Sequence, residues 1–212
     1  MKHPIIGAIF VGGQGRRLGG VDKALLELKG VPLHQIVVPK VSAVVDRLLV
    51  LAPCSPAWLS EHDGVEAVED FMPAGESIGP AGGLLAALQY AQSSYGDEAI
   101  VVTTPVDAPF FPAHILTDLI ERLDARTHAA VLSTDRRLQP AFSAWRANQF
   151  DHLSRLVAAG DRALHVLAER SGAKVLNIKG IGDRFLNINT PDDVAAAWQY
   201  ETQPANAPKR RA

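Results

Sequence analysis

The run Ile5-Ile6-Gly7-Ala8-Ile9-Phe10-Val11 passes directly into Gly12-Gly13-Gln14-Gly15-Arg16-Arg17-Leu18-Gly19-Gly20-Val21-Asp22-Lys23. An unbroken apolar, β-prone run of this kind fits a strand covered on both faces, as in parallel sheets. Five glycines among residues 12–20 let backbone N–H groups converge on an anion without side-chain obstruction. Arg16, Arg17 and Lys23 add positive charge to the same segment. In open α/β sheets, ligands bind beyond the carboxyl ends of strands, which is where this loop falls. Two familiar phosphate loops do not fit. The dinucleotide pattern G-x-G-x-x-G fails at Leu18, and the Walker A pattern fails at Val21, where lysine is required after Gly20. A plain surface loop would leave two arginines and a lysine among the glycines unexplained.

Outward from this stretch, strands and helices alternate. Further strands are expected at Leu48–Leu51, Val65–Val68, Ala99–Thr104, Ala129–Leu132, Ala141–Trp145, Lys174–Ile178 and Phe185–Ile188. Helices are expected at Leu33–Val45, Gly82–Gln92, Pro112–Leu123, Asn148–Ala158 and Ala163–Glu169. In the second of these, Leu84, Leu85, Leu88 and Ala91 recur at helical spacing. Thr190-Pro191-Asp192-Asp193 reads as a last helix start running to about Tyr200: an N-cap threonine, proline at the first position and acids in the first turn. The alternation predicts an α/β fold, a three-layer α/β/α sandwich with a mostly parallel, Rossmann-like sheet. Residues 1–202 are expected to form one domain and 203–212 a disordered tail.

Composition excludes several classes. Apolar residues make up 47% of the 212, enough for a packed core, and 21% are charged. The net charge of −2 gives no global attraction for nucleic acid or an anionic membrane. Cys54 is the sole cysteine, so no intramolecular disulfide or cysteine zinc cluster can form, and it is expected as a small buried hydrophobe. Neither a membrane span nor a cleaved leader is expected: Ile5–Val11 is far short of ~20 residues and no small-residue cleavage site follows it. The expected location is the cytoplasm. The seven histidines show no metal-ligand spacing and are expected on the surface or in packing roles.

Three further segments carry polar groups at expected strand ends or helix starts. Glu69-Asp70 ends the Val65–Val68 strand. Gly79-Pro80-Ala81-Gly82-Gly83 exposes backbone groups where a helix begins. In Thr104-Pro105-Val106-Asp107-Ala108-Pro109-Phe110-Phe111-Pro112, a buried strand delivers a single aspartate between prolines that stiffen the backbone around it. Asp107 is expected there as an exposed strand-end carboxylate. Late in the chain, Asn187 and Asn189 alternate along an expected strand, which would put both on one face.

Phe10 to Lys23 resembles the L-A-G-G-x-x-x-R-M-G-x-x-K signature of nucleotidyltransferases with a GT-A-like Rossmann fold. The closer resemblance is to the molybdenum cofactor guanylyltransferases, the MobA family, with Leu18 in place of methionine. Leu26-Glu27-Leu28-Lys29-Gly30-Val31-Pro32-Leu33 is also similar to that family, as are Gly79–Gly83 (G-P-L-A-G), Pro105–Pro109 (P-C-D-x-P) and Phe185–Asp193 (F-x-N-x-N-T-P-E-[DE]). Gln139-Pro140 matches a segment where histidine is usual at the first position. The resemblance spans about residues 5–200.

It implies transfer of GMP from GTP to molybdopterin-bound molybdenum cofactor, with release of pyrophosphate. Nucleotide binding is thereby expected of Phe10, Val11, Gly12, Gly13, Gly15, Lys23, Asp70, Gly79, Pro80, Gly82 and Asp107. Catalysis is expected of Arg17, Lys23 and Asp107, Mg²⁺ at Asp107, and pterin contacts from Asn187 and Asn189. Implied partners are GTP, the molybdopterin cofactor, proteins that deliver the pterin and molybdoenzymes that receive the product, with no nucleic acid and no membrane. One departure stands out: Leu51-Ala52-Pro53 replaces the family's N-A-N, so a side-chain amide near the nucleotide is absent. Either backbone groups replace it or nucleotide affinity differs. A cytidylyltransferase for the same pterin, a sugar- or polyol-phosphate nucleotidylyltransferase and a non-catalytic nucleotide-binding regulator therefore stay open as alternatives.

Overall fold

The computed structural model describes residues 3–11, 22–52, 54–135, 137–188 and 193. Its main element is a seven-stranded sheet. In chain order the strands are β1 (Ile5–Phe10), β4 (Arg47–Leu51), β5 (Val65–Val68), β6 (Ile100–Pro105), β7 (Ala129–Thr134), β8 (Arg137–Arg146) and β9 (Lys174–Ile178). A separate two-stranded hairpin joins β2 (Glu27–Leu28) to β3 (Val31–Pro32). Its turn is made by Lys29 and Gly30, both at positive φ, a conformation that glycine accepts without steric cost.

The sheet order is β5-β4-β1-β6-β8-β7-β9. Four neighbouring pairs are parallel, and β8 runs antiparallel to both β6 and β7. The sheet is thus mostly parallel but mixed. Between β7 and β8 the register shifts after Val131, and the β8 segment that skips pairing holds Pro140, which has no N–H to donate.

Helices cover both faces. On one, α1 (Leu33–Ser42) and α3 (His114–Ile120) bury Val37, Val41, Ile115 and Leu119 against Ile9, Val50 and Val102. On the other, α2 (Pro80–Tyr95), α4 (Phe150–Ala158) and α5 (Leu164–Arg170) bury Leu84, Leu88, Leu153 and Leu167 against Ile6, Leu49, Val101 and Trp145. Each such leucine, isoleucine or valine contributes about 1.5–3 kcal/mol by leaving water. Gly7 sits in β1 for a steric reason: a Cβ there would lie 2.7 Å from Val41 Cγ1 and 2.9 Å from Leu48 Cδ1. The small residue lets α1 close on the sheet.

Two expectations are corrected. Phe185–Ile188 is not a strand: Gly182–Phe185 forms a 3-10 turn, and the segment that follows joins no sheet up to Ile188. The strand argument for pairing Asn187 with Asn189 therefore fails. Cys54 is exposed rather than buried, because β4 ends at Leu51 and leaves it in the following loop. Of the helix expected at 190–200, Asp193 is described and is helical; the remainder, Asn189 and the tail at 203–212 lie outside the described residues.

Candidate active site

The carboxyl edge of the sheet aligns four chain exits. Phe10 pairs with Leu51 on one side and Pro105 on the other, and Leu51 pairs with Val68. Backbone bonds carry this alignment past the strands: Val11 N–H donates to Leu51 C=O at 3.3 Å, Ala52 N–H to Val68 C=O at 3.2 Å, and Val106 N–H to Phe10 C=O at 3.0 Å. The segments holding Val11, Ala52, Asp70 and Asp107 therefore leave the sheet side by side. Chain order reverses direction here, since β4 and β5 lie to one side of β1 and β6 to the other. Such a switch point is where open α/β sheets bind ligands.

On the β6 side, Lys23 Nζ donates to Asp107 Oδ2 at 2.7 Å. Asp107 is buried, at 8% exposure, and not an exposed strand-end group as the sequence led us to expect. Segments from elsewhere in the chain hold its loop. Ile188 N–H donates to the Asp107 carbonyl at 2.6 Å, which brings Asn187, itself exposed, to the same place. Lys40 of α1 donates to the Pro109 carbonyl and lies 5.5 Å from the centre of the Phe111 ring. Asp107 Oδ1 is buried and has no hydrogen-bond partner among the described residues. A buried carboxylate oxygen without a donor is costly unless a cation or donor reaches it. That orphaned oxygen fits a Mg²⁺ ligand, because this ion takes one or two protein carboxylates and fills its octahedron with phosphate and water.

Lys23 is placed by its neighbour. Asp22 is the N-cap of the 3-10 turn Lys23–Leu25, its Oδ1 accepting from the Ala24 amide at 2.9 Å. Its Oδ2 accepts from the indole Nε1–H of Trp58, also at 2.9 Å. Sequence reading did not single out Trp58 or Lys40. An aspartate two residues before the bonded amide is a recognisable cap signal, whereas the tryptophan 36 residues away has none.

On the β5 side, Asp70 meets the start of α2. A Cβ added at Gly83 would lie 3.2 Å from each of Asp70 Oδ1, Leu51 Cδ1 and Phe10 Cε1. The Phe71 amide donates to the Gly82 carbonyl at 3.1 Å, and a Cβ at Gly82 would lie 2.7 Å from the Phe71 carbonyl oxygen. The glycines of this motif thus serve close packing between helix and loop. Gly79 at the N-cap, with φ 65° and ψ −149°, occupies backbone space essentially reserved for glycine. Burial raises the Asp70 pKa above the ordinary carboxylate value. Leu51, at the position of the absent amide, is fully buried in this cluster.

Phe10, Val11, Lys23, Asp70, Gly79, Pro80, Gly82, Asp107 and Asn187 are described. Phe10, Asp70 and Gly82 gather on one side of the β1 end, and Lys23 and Asp107 gather on the other. Gly12, Gly13, Gly15, Arg17 and Asn189 lie outside the described residues. Among the described residues, no group of three or more His, Cys, Asp or Glu side chains could hold a metal ion. No helix among them is long and apolar enough to cross a membrane.

A mixed α/β sheet carries a lysine–aspartate pair at its switch point, and comparison with known proteins makes the chain a nucleotidyltransferase. The MobA-like NTP transferase domain matches residues 7–175, and the chain belongs to that family. A molybdenum cofactor guanylyltransferase of Serratia proteamaculans is 31% identical over 95% of this chain and 97% of its own. One of Cereibacter sphaeroides is 35% identical over 91% and 95%. Among solved structures, molybdopterin-guanine dinucleotide biosynthesis protein A of Archaeoglobus fulgidus superposes with a TM-score of 0.69 at 25% identity, covering 92% of this chain and 97% of that one. A 4-diphosphocytidyl-2C-methyl-D-erythritol synthase has the same TM-score at 14% identity over 95% and 99%, a likeness of fold alone.

Proposed function

We propose that this nucleotidyltransferase is a molybdenum cofactor guanylyltransferase, moving GMP from GTP to the terminal phosphate of molybdopterin. The observation that carries the reading is Lys23 at 2.7 Å from a buried Asp107 whose second oxygen lacks a partner among the described residues. Relatives carrying that name across nearly their full length support the choice of substrates.

A pterin phosphate oxygen attacks the α-phosphorus of GTP, and the bond between that phosphorus and the β-phosphate bridging oxygen breaks. Pyrophosphate leaves with the bonding electrons. A phosphate monoester has its second pKa at about 6, so the nucleophile is ionised at neutral pH and no general base is needed. The chain's work is positioning and charge stabilisation. Lys23 places a cation beside charge accumulating on the α-phosphate, and Arg17 is assigned a second. Backbone amides of Gly12, Gly13 and Gly15 are assigned to the phosphates. Asp107 is the residue to hold Mg²⁺, which when bound neutralises phosphate oxygens. Asp70 and the Gly79–Gly82 segment are assigned to the nucleoside, and Asn187 and Asn189 to the pterin. The cytoplasm is the expected site of action.

The buried Leu51 in place of an amide keeps a cytidylyltransferase in view. Mass analysis of the pterin after incubation with each Mg²⁺–NTP tests both. A mass gain of GMP only with GTP supports the reading, a gain of CMP only with CTP replaces it, and nucleotide binding without pyrophosphate release with any NTP marks a regulator.

A further inference from the structure

Trp58 lies in the 3-10 turn Ala57–Glu61, is 4% exposed, and belongs to none of the short motifs quoted from the sequence. Its ring is held on two sides. His34 of α1 stacks on it at 4.5 Å between centroids and 16° between planes. His62 meets it edge-on at 5.9 Å, and His34 Nδ1 and His62 Nε2 are hydrogen-bonded at 2.8 Å. The ring plane therefore cannot swing freely, and its one donor is aimed at Asp22 Oδ2. The other oxygen of that carboxylate caps the turn that presents Lys23 to Asp107. The chain of contacts is short and directional: a clamped indole fixes a carboxylate, the carboxylate fixes a turn, and the turn fixes the ammonium.

We propose that Trp58 is a positioning residue for Lys23, acting through the Asp22 carboxylate; the kinetic part of this inference rests on the transfer reaction above. Lys23 is assigned to charge that develops in the transition state. Loosening its turn therefore lowers kcat and leaves ground-state binding of nucleotide nearly intact.

The test replaces Trp58→Phe, which keeps an aromatic ring for His34 and removes the N–H donor. The matched control is Trp145→Phe. That indole also donates one buried bond, to Ser143 Oγ at 2.7 Å, but it sits in the opposite core layer. Trp58→Phe is expected to lower kcat about tenfold or more, since small misplacements at a reacting centre cost up to ~10²-fold. KM for Mg²⁺–GTP should stay within about twofold. Asp22→Asn should reproduce the loss, and the double variant should lose no more than the larger single, as residues in one chain of contacts do not add. Hydrogen exchange provides a readout independent of activity. Amides of residues 22–26 should exchange faster in Trp58→Phe and at the wild-type rate in Trp145→Phe. Wild-type exchange at 22–26 in Trp58→Phe overturns the proposal whatever the kinetics, as does an equal kcat loss in Trp145→Phe. Faster local exchange in a protein whose wild type transfers no nucleotide would keep the positioning and sink the reaction.

Discussion

Lys23 and Asp107 are 84 residues apart in the chain, yet their charged atoms lie 2.7 Å apart beyond the ends of β1 and β6. The pair occupies one carboxylate oxygen and leaves the other for a cation. Under the proposed function, Lys23 and Mg²⁺ would share this single acidic group.

Asp107→Asn should reduce nucleotidyl transfer by roughly 10²–10³-fold or more, the scale for losing one electrostatic contact to the transition state. The fold should survive. Lys23 keeps 21% of its side chain exposed and can turn to water, so the lost ion pair costs less than the about 3–5 kcal/mol of breaking a fully buried one. Rates with Mg²⁺–GTP and thermal unfolding check both halves, and full activity would remove Asp107 from the metal role.

For Lys23→Met, kcat should fall by ~10²–10³-fold. The same change removes a competitor for Asp107, so Mn²⁺ without nucleotide should bind more tightly than to the wild type. Electron paramagnetic resonance of free Mn²⁺ measures this. Weaker Mn²⁺ binding would contradict a shared carboxylate.

Leu51→Asn, which restores the family's residue type, should not restore nucleotide affinity. Leu51 is 1% exposed and packed among Phe10 and the Gly83 backbone. An amide there loses core packing and buries an unsatisfied group, at a cost of about 2–5 kcal/mol. Chemical denaturation and GTP titration together decide it. Tighter GTP binding with unchanged stability would show that the side chain reaches the nucleotide.

The two glycines that open α2 should respond differently to alanine. Gly82→Ala forces a Cβ to 2.7 Å from the Phe71 carbonyl and should destabilise by about 1–3 kcal/mol despite the better helix propensity of alanine. Gly83→Ala meets its neighbours at 3.2 Å and should cost less. Equal unfolding midpoints would argue that the loop after Asp70 yields readily.

Asp70 has a pKa raised by burial, so its charged form is disfavoured in the folded state. The unfolded chain releases this proton first, and stability falls as pH rises from the ordinary carboxylate value through the raised one. The penalty is complete once pH exceeds the raised value. Asp70→Asn should therefore raise the unfolding temperature at neutral pH, with the gain fading as pH drops through the carboxylate range. A gain independent of pH would assign the effect to something other than ionisation.

Much of this protein was legible before any coordinates. The strand-to-glycine transition at Val11–Gly12, the alternating elements and the aspartate after β6 are local patterns, and backbone sterics and hydrophobic periodicity write them into short windows. The 3-10 turn at Gly182–Phe185 is not legible because Phe185-Leu186-Asn187-Ile188 is rich in β-prone apolar residues, yet among the described residues no strand pairs with it. The antiparallel placement of β8 between β6 and β7 likewise depends on pairing between segments distant in the chain. Asp107 is buried in a loop that Ile188 and Lys40, from distant parts of the chain, hold through the carbonyls of Asp107 and Pro109. The sequence alone determined which residues could do chemistry. Tertiary structure decided which of them meet, since burial, pairing and the Trp58–Asp22 contact depend on distances between segments that no local pattern encodes.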